Sequence, residues 1–401
     1  MIRKKNILFL SSWFPIPADN GSKLRIYNLL RGLSNYYDVS LISFDDSPNS
    51  DRNPGEIESI CIEVKTIPFK RFNPKSFKAR LGFLSLTPRA FIDTYSHEMA
   101  QRIKDTIAIQ KPDLVIASQL GTALYRQIFK MQPALFEEVE IGLFYDCFKN
   151  AESFIGRLRN RLTWMKHRRY LANLLRSYQA CTVVSEREKQ LLLNLDPNNT
   201  ITEIIPNCIN INDYQEIRQI PQSDTLIFTG SFSYYPNYEA IFWFLEKVFP
   251  QVQAHCPLIK LVITGNHGGR PIPPTRNVTL TGYVEDVRPL IASSAISVVP
   301  IISGGGTRLK ILEAMALHTP VVTTHKGAEG LDVKHGLNIL IADTPDEFAG
   351  NIIKLLNDPD MRQRLANNAY HLVQEKYEWS VVMPRFINLV ESTISKYNFK
   401  G

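Results

Sequence analysis

Short apolar runs rich in Ile, Val and Leu alternate with longer stretches of helical period along nearly the whole 401-residue chain. A short apolar run without a polar face suits a strand buried on both sides, and helices between such strands supply the two covers. The alternation therefore implies an α/β fold built on parallel sheets. In the first half, strands are expected at 7–10, 39–44, 60–67, 114–117, 141–145, 180–184 and 201–205. Helices are expected between them near 22–33, 91–109, 122–130, 156–177 and 186–193. A polar stretch from Asn207 to Asp224, containing Pro221, breaks the rhythm. The pattern then restarts, with strands at 226–229, 260–264, 278–281, 296–300 and 321–323 and helices at 238–249, 287–293, 308–317, 346–357 and 361–377. An amphipathic helix over about 380–396 closes the chain. The expected organisation is two doubly wound Rossmann-like domains, 1–206 and 225–379, joined by a linker at 207–224 and followed by a terminal helix within 380–401. Sheets of this kind bind ligands outside the carboxyl ends of their strands, and a cleft between two such domains is the natural site.

Composition narrows the function classes. Hydrophobic residues at 44% and charged residues at 21% exclude a disordered chain. No apolar run reaches the roughly 18 residues of a membrane-crossing helix. Ile7–Leu10 is too short for a signal-peptide core and lacks a cleavage site, so a cytoplasmic location is expected. Five scattered cysteines with no C-x-x-C pair argue against a disulfide framework and against structural zinc. His318, His325 and His335 lack ligand spacing, so no metal site is expected.

The net charge of +7 is local rather than general. Residues 70–89 and 149–176 together carry +13, which leaves −6 for the rest of the chain. Neither segment carries a known nucleic-acid-binding module, so no nucleic-acid partner is expected. Both mix cations with large apolar residues, including Phe72, Phe77, Phe83, Leu84, Leu158, Leu162, Trp164 and Met165. That mixture suits an anionic membrane surface and a peripheral position there. A core-packed helix with a basic solvated face is the simpler alternative.

The most informative run is Val299-Pro300-Ile301-Ile302-Ser303-Gly304-Gly305-Gly306-Thr307-Arg308-Leu309-Lys310-Ile311-Leu312-Glu313-Ala314-Met315-Ala316. An apolar strand enters three glycines and leaves as a helix that Thr307 is placed to cap. Glycines let a ligand approach the backbone, and free amides at a helix start attract anions. Arg308 and Lys310 stand in the first turn, where the helix dipole disfavours cations, so an anionic ligand would offset the cost. Lys310 and Glu313 share a face. A tight turn with solvated charges would carry the same residues. Phe228-Thr229-Gly230-Ser231 repeats the strand-to-glycine pattern, and in Gly282-Tyr283-Val284-Glu285-Asp286 a turn leads to a helix that Asp286 can cap. Asn20-Gly21-Ser22 follows the first strand. Asp146 lies just past the strand expected at 141–145, where it would face a ligand or cap the next helix.

The run from Gly304 to Ala316, followed by Thr319-Pro320-Val321-Val322, resembles the donor-site signature of family 4 glycosyltransferases, retaining enzymes of the GT-B fold. Gly230-Ser231 with Pro236-Asn237, Gly282–Asp286, Gly327-Ala328-Glu329-Gly330-Leu331 and the linker-like Ile205-Pro206-Asn207 agree with the resemblance, closely over 230–380. It implies two Rossmann-like domains facing across a cleft, a nucleotide diphosphate-sugar donor on the second, and no cofactor. Glu313 would hold the ribose hydroxyls. Arg308 and Lys310 would neutralise the diphosphate, with the amides of Gly304, Gly305 and Gly306 and Thr307 beside it. Tyr283 and Val284 would read the base, Gly21 would approach the phosphate, and Gly230 and Ser231 would line the donor. The terminal helix would cross back onto the first domain. The acceptor would be a glycan or a lipid-linked molecule in cell-surface polysaccharide or glycolipid synthesis.

The chain departs from the family pattern in three places. Gly305 stands where a glutamate is usual, Ser231-Phe232-Ser233 replaces the usual Arg and Lys, and Ser118-Gln119 occupies the position of an N-domain histidine. Asp146 then becomes the first-domain candidate for sugar or acceptor. Retention without a nucleophile implies same-face attack, with the leaving phosphate taking the acceptor proton and the two cations acting in place of a metal. A sugar-nucleotide epimerase and a non-catalytic nucleotide-sugar-binding protein are the alternatives.

Overall fold

A computed structural model describes residues 4–18, 20–46, 55–149, 154–196, 201–306 and 308–398. It divides into two compact units, Met1–Pro206 with Met383–Gly401, and Asn207–Val382.

Unit 1 carries a parallel sheet of β1 (Asn6–Ser11), β2 (Asp38–Asp45), β3 (Glu63–Pro68), β4 (Leu114–Ser118), β5 (Ala134–Glu137), β6 (Ala180–Val183) and β7 (Ile201–Ile204), in the order β3-β2-β1-β4-β5-β6-β7. Its core comes from the continuous apolar strands, with Leu8, Leu10, Val115 and Ala117 wholly buried. The order in which strands are added reverses between β1 and β4, and the carboxyl ends of these two parallel neighbours form the switch-point crevice. The helix Gly21–Ser34 begins where the Asn20 side chain accepts from the Lys23 amide, and buries Ile26, Leu29, Leu30 and Leu33.

That helix also buries a cation. Arg25 Nε donates to Glu137 Oε1 at 2.7 Å, and its Nη1 donates to the Pro206 carbonyl at 3.0 Å. Glu137 Oε2 accepts from Ser118 Oγ at 2.6 Å. One buried carboxylate thus joins the first helix to the ends of β4 and β5.

Unit 2 repeats the plan with β8 (Gln222–Thr229), β9 (Lys260–Thr264), β10 (Val278–Gly282), β11 (Ser294–Val299), β12 (Val321–Thr323) and β13 (Leu340–Ile341), in the order β10-β9-β8-β11-β12-β13. Here the switch point lies between β8 and β11. The terminal helix Trp379–Asn398 packs onto unit 1 from Met383 onward. Glu391 pairs with Lys5 and accepts from the Tyr37 hydroxyl at 2.7 Å, and Arg385 reaches Glu203 at 2.7 Å.

Three sequence expectations are corrected. Residues 141–145 are not a strand but open the helix Gly142–Lys149, and the strand lies at Ala134–Glu137. A short apolar run fits either element by periodicity. The outcome follows from Glu188, whose carboxylate accepts from the amides of Ile141 and Gly142 at 2.7 and 3.0 Å, satisfying donors at a helix start. The stretch 207–224 does not run as a free linker, because Ile209, Ile211 and Tyr214 are buried in the core of unit 2. The helix expected over 91–109 is two, Arg89–Thr94 and His97–Gln110, the second capped by the Ser96 hydroxyl.

Removing one partner of a buried ion pair strands the other, at a cost of about 3–5 kcal/mol. Arg25→Ala should therefore lower unfolding stability in urea by roughly that amount. Exposed Arg385→Ala should cost less than about 1 kcal/mol.

Candidate active site on the second unit

The carboxyl ends of β8 and β11 each run into a glycine-bearing loop. After β8, Gly230 takes φ +149°, and a Cβ there would stand 2.7 Å from both Lys310 Nζ and Asn237 Nδ2. The missing Cβ lets three groups converge. Lys310 Nζ donates to Asn237 Oδ1 at 2.9 Å, and Asn237 Nδ2 donates to the Ser231 carbonyl at 2.8 Å. The ammonium also lies 4.6 Å from the Phe228 ring centroid. Burial, reinforced by repulsion from Arg308 and opposed by Glu313, pushes the Lys310 ammonium down to about 7. Among the described residues, no carboxylate lies within ion-pair distance of it. A partly desolvated cation without a neighbouring carboxylate favours an anion.

After β11, Gly304 and Gly306 take φ +87° and +84°. A Cβ at Gly304 would meet the Tyr234 hydroxyl at 2.5 Å, so the loop packs where only glycine fits. Ser303 Oγ donates to the Glu239 carboxylate. Arg308 does not extend beside Lys310 as expected. Its guanidinium folds back to donate to the carbonyls of Gly305, Gly304 and Ser303 at 2.7, 3.1 and 3.3 Å. A trans peptide points its N–H opposite to its C=O. Gathering three carbonyls on Arg308 therefore turns the amides of Gly304, Gly305 and Gly306 away from it, as an anion-binding loop requires.

The helix Leu309–Ala316 starts one residue later than expected, and its boundary residue Arg308 makes no side-chain cap. Thr307, expected as the cap, lies outside the described residues. One turn on, burial pushes the Glu313 carboxyl up. Tyr214 donates to Glu313 Oε1 at 3.4 Å, and the Arg288 guanidinium stands 5.9 Å from the Tyr214 ring. Asp286 accepts from the Arg288 amide at 3.0 Å and pairs with its guanidinium at 2.8 Å, which keeps its carboxyl low. Gly282, at φ +71°, turns the chain into Tyr283, which is exposed, and Val284, which is half-buried. Ser231 Oγ donates to the Asn266 carbonyl at 3.2 Å.

Of the expected donor residues, Gly230, Ser231, Gly304, Gly305, Gly306, Arg308, Lys310 and Glu313 share the switch point of unit 2, with Tyr283 and Val284 past the end of β10. Sequence reasoning missed Asn237 as the partner of Lys310, although Pro236-Asn237 had been noticed, and missed Tyr214 entirely. In unit 1, Gly21 is the first residue of the helix that Asn20 caps. Asp146 is displaced from its expected place: it rides on the helix Gly142–Lys149 and pairs with Arg187 at 2.5 Å. The acid that follows β5 is Glu138.

Residues 223–358 match the glycosyl transferases group 1 family. The second unit is a group 1 glycosyltransferase domain. The whole chain is 24% identical over 397 residues to an uncharacterized 44.6 kDa protein in the cps region of Klebsiella pneumoniae, covering 93% of this chain and 96% of that one. An uncharacterized glycosyltransferase of Methanocaldococcus jannaschii, MJ1607, is 25% identical over 244 residues, 54% of this chain and 61% of the relative. Among solved structures, sucrose-phosphate synthase from Thermosynechococcus elongatus superposes with a TM-score of 0.71 at 17% identity, over 98% of this chain and 100% of that one. HepE of Anabaena, solved with UDP and glucose, gives 0.65 at 15% identity, over 97% and 100%. The chain therefore has the GT-B fold.

The cramped glycine at the switch point gives a direct check. A non-glycine residue at positive φ costs about 1–2 kcal/mol by backbone strain alone. Gly336, at φ +77° with open space around it, should show only that cost as Gly336→Ala. Gly230→Ala adds overlap with Lys310 and Asn237 and should lose clearly more stability in thermal unfolding.

Proposed function

We propose that this glycosyltransferase moves a sugar from a nucleotide diphosphate-sugar to a glycan or lipid-linked acceptor with retention of configuration and without a metal. The observation that carries the proposal is the half-buried Lys310 side chain, whose ammonium is held beside Gly230 with no carboxylate at ion-pair distance among the described residues. A diphosphate supplies the missing charge. Glu313, raised by burial and touched by Tyr214, suits a pair of ribose hydroxyls. Tyr283 and Val284 offer backbone to the base edge. The UDP in HepE and the cps-region origin of the Klebsiella relative support a uridine diphosphate donor and a place in cell-surface polysaccharide synthesis.

The chemistry follows from charge. Breaking the anomeric C–O bond gathers negative charge on the departing diphosphate and positive character on the sugar. A preorganised cation and amides aimed at that phosphate stabilise the separation, each donor by around 3 kcal/mol. The acceptor oxygen attacks the face that the phosphate leaves, and a phosphate oxygen takes its proton.

Lys310→Ala should therefore reduce turnover more than donor affinity, because the diphosphate charge grows in the transition state. Glu313→Ala should act chiefly on affinity, and wild-type turnover should survive EDTA. Calorimetry with UDP adds a pH test. Lys310 loses its proton above about 7 while facing Arg308, Glu313, Asn237 and Phe228. UDP affinity should fall as pH rises from 7 to 9, and Lys310→Ala should flatten that slope. Full turnover in Lys310→Ala would refute the mechanism.

The basic segments fit a membrane face as the acceptor's setting. The Lys166 ammonium donates to the Phe83 carbonyl at 2.6 Å, which joins the helix Phe154–Leu175 to the loop after the helix Phe77–Leu81. Around that contact Phe77, Leu81, Leu84, Leu158, Leu162 and Met165 are all exposed. Among the described residues, no helix is long and apolar enough to cross a membrane. Exposed apolar side chains among cations fit an anionic leaflet, at about 1 kcal/mol per cation. In liposome flotation, binding should need anionic lipid and fall with salt. Equal recovery on neutral vesicles would favour a soluble acceptor.

A further inference from the structure

Asn237 is buried, and both ends of its side-chain amide are engaged. It stands in the first turn of the helix Tyr235–Trp243, beside Pro236. Its Nδ2 donates to the Ser231 carbonyl at 2.8 Å, and its Oδ1 accepts from Lys310 Nζ at 2.9 Å. The amide can point only this way, because a carbonyl accepts and an ammonium donates. Ser231 is itself held from behind. A Cβ on Gly265, at φ +111°, would meet the Gly230 carbonyl oxygen at 2.5 Å and the Ser231 nitrogen at 2.8 Å, so the residue just past β9 packs directly on this peptide. The Phe232 amide donates to the Asn266 carbonyl at 2.8 Å, which fixes the other side of Ser231. A rigid path thus runs from the loop after β9 through Ser231 and Asn237 to the ammonium.

The chemistry of that last contact matters. A carboxylate in the place of the amide would pair with Lys310 and cancel its charge. The amide oxygen offers a dipole instead, which favours the ammonium over the neutral amine without neutralising it. Charged groups acting on the ammonium come from its own segment: Arg308 disfavours the protonated form, and Glu313 favours it. From β8 and the loop after it, Phe228, Gly230, Ser231 and Asn237 face it, and none of these is charged. Burial brings the ammonium down to about 7, so near neutral pH a single hydrogen bond changes how much of it is protonated.

We propose that Asn237 is a positioning residue for sugar transfer: it fixes the Lys310 ammonium beside Gly230 and keeps it charged, while leaving that charge for an anion. The proposal rests on the donor reading of this switch point for the identity of the anion, and it adds the residue that sets the state of the cation. The two nearest replacements each fail in one respect. Leucine, of similar size, removes the acceptor and favours the neutral amine. Aspartate favours the charged form but compensates it, so a diphosphate would have to displace or face a carboxylate.

NMR titration of the full ligand-free chain, with isotope-labelled lysine and the Lys310 signal assigned by its loss in Lys310→Ala, reads the ammonium directly. Asn237→Leu should lower the titration midpoint by about 1–2 pH units, the loss of one hydrogen bond to a charged group. Asn237→Asp should raise it by about 1–3 pH units. A merely structural role would move both midpoints the same way or neither. Calorimetry with UDP at pH 7 then separates charge from compensation: Asn237→Asp should bind UDP about tenfold more weakly although its lysine is more fully protonated. Each variant carries a signed outcome, so either one decides if the other does not fold. A midpoint that stays put or moves the opposite way in either variant, or wild-type UDP affinity in Asn237→Asp, would overturn the proposal. Absence of UDP binding to the wild-type chain, with the midpoints displaced as expected, would instead count against the donor reading and support the role of Asn237.

Discussion

A cation lies near the carboxyl edge of each sheet, buried in unit 1 and half-buried in unit 2, and the two are treated differently. Arg25 meets Glu137 at 2.7 Å and a backbone carbonyl besides, so its charge is balanced inside the fold. Among the described residues Lys310 meets an amide oxygen and an aromatic face, and its ammonium is pushed down to about 7. Desolvating a charge is expensive unless it is paired. The first arrangement holds helix, β4 and β5 of unit 1 together. The second leaves a deficit that an anion can remove.

Both switch points also hold backbone where side chains do not easily follow. In unit 2 the solution is glycine: Gly230 and Gly304 sit where a Cβ would meet Lys310 or Tyr234. In unit 1 it is strain, carried by Gln119 and Glu138 and fixed by hydrogen bonds from neighbouring strands. Glycine clears room for a ligand to touch the main chain. Strained polar residues instead present side chains.

The alternation of apolar strands and helical stretches was enough to establish two parallel α/β sheets, because strands buried on both faces cannot be built from alternating sequence. The glycine run before Leu309–Ala316 and the Gly230 turn were legible for a similar reason: backbone that must approach something closely leaves a compositional trace. Long-range satisfaction leaves none. Residues 134–137 and 141–145 look alike as short apolar runs. Their fates were decided by Arg25, which neutralises Glu137 in a strand, and by Glu188, which takes the first amides of a helix. The candidate acid at that edge consequently moved from Asp146 to Glu138.

Sequence by itself determined which segments must be buried and where glycine allows close approach, since both are properties of a residue and its near neighbours. Tertiary structure alone decided which charges are compensated. Arg308 and Lys310 are two residues apart, yet one braces loop carbonyls while the other lies desolvated against Asn237 and Phe228. Tyr214, in a stretch that reads as linker, reaches Glu313 from 99 positions away. Coulomb energy and desolvation depend on distance in space and on what excludes water, and neither quantity is written in the order of residues.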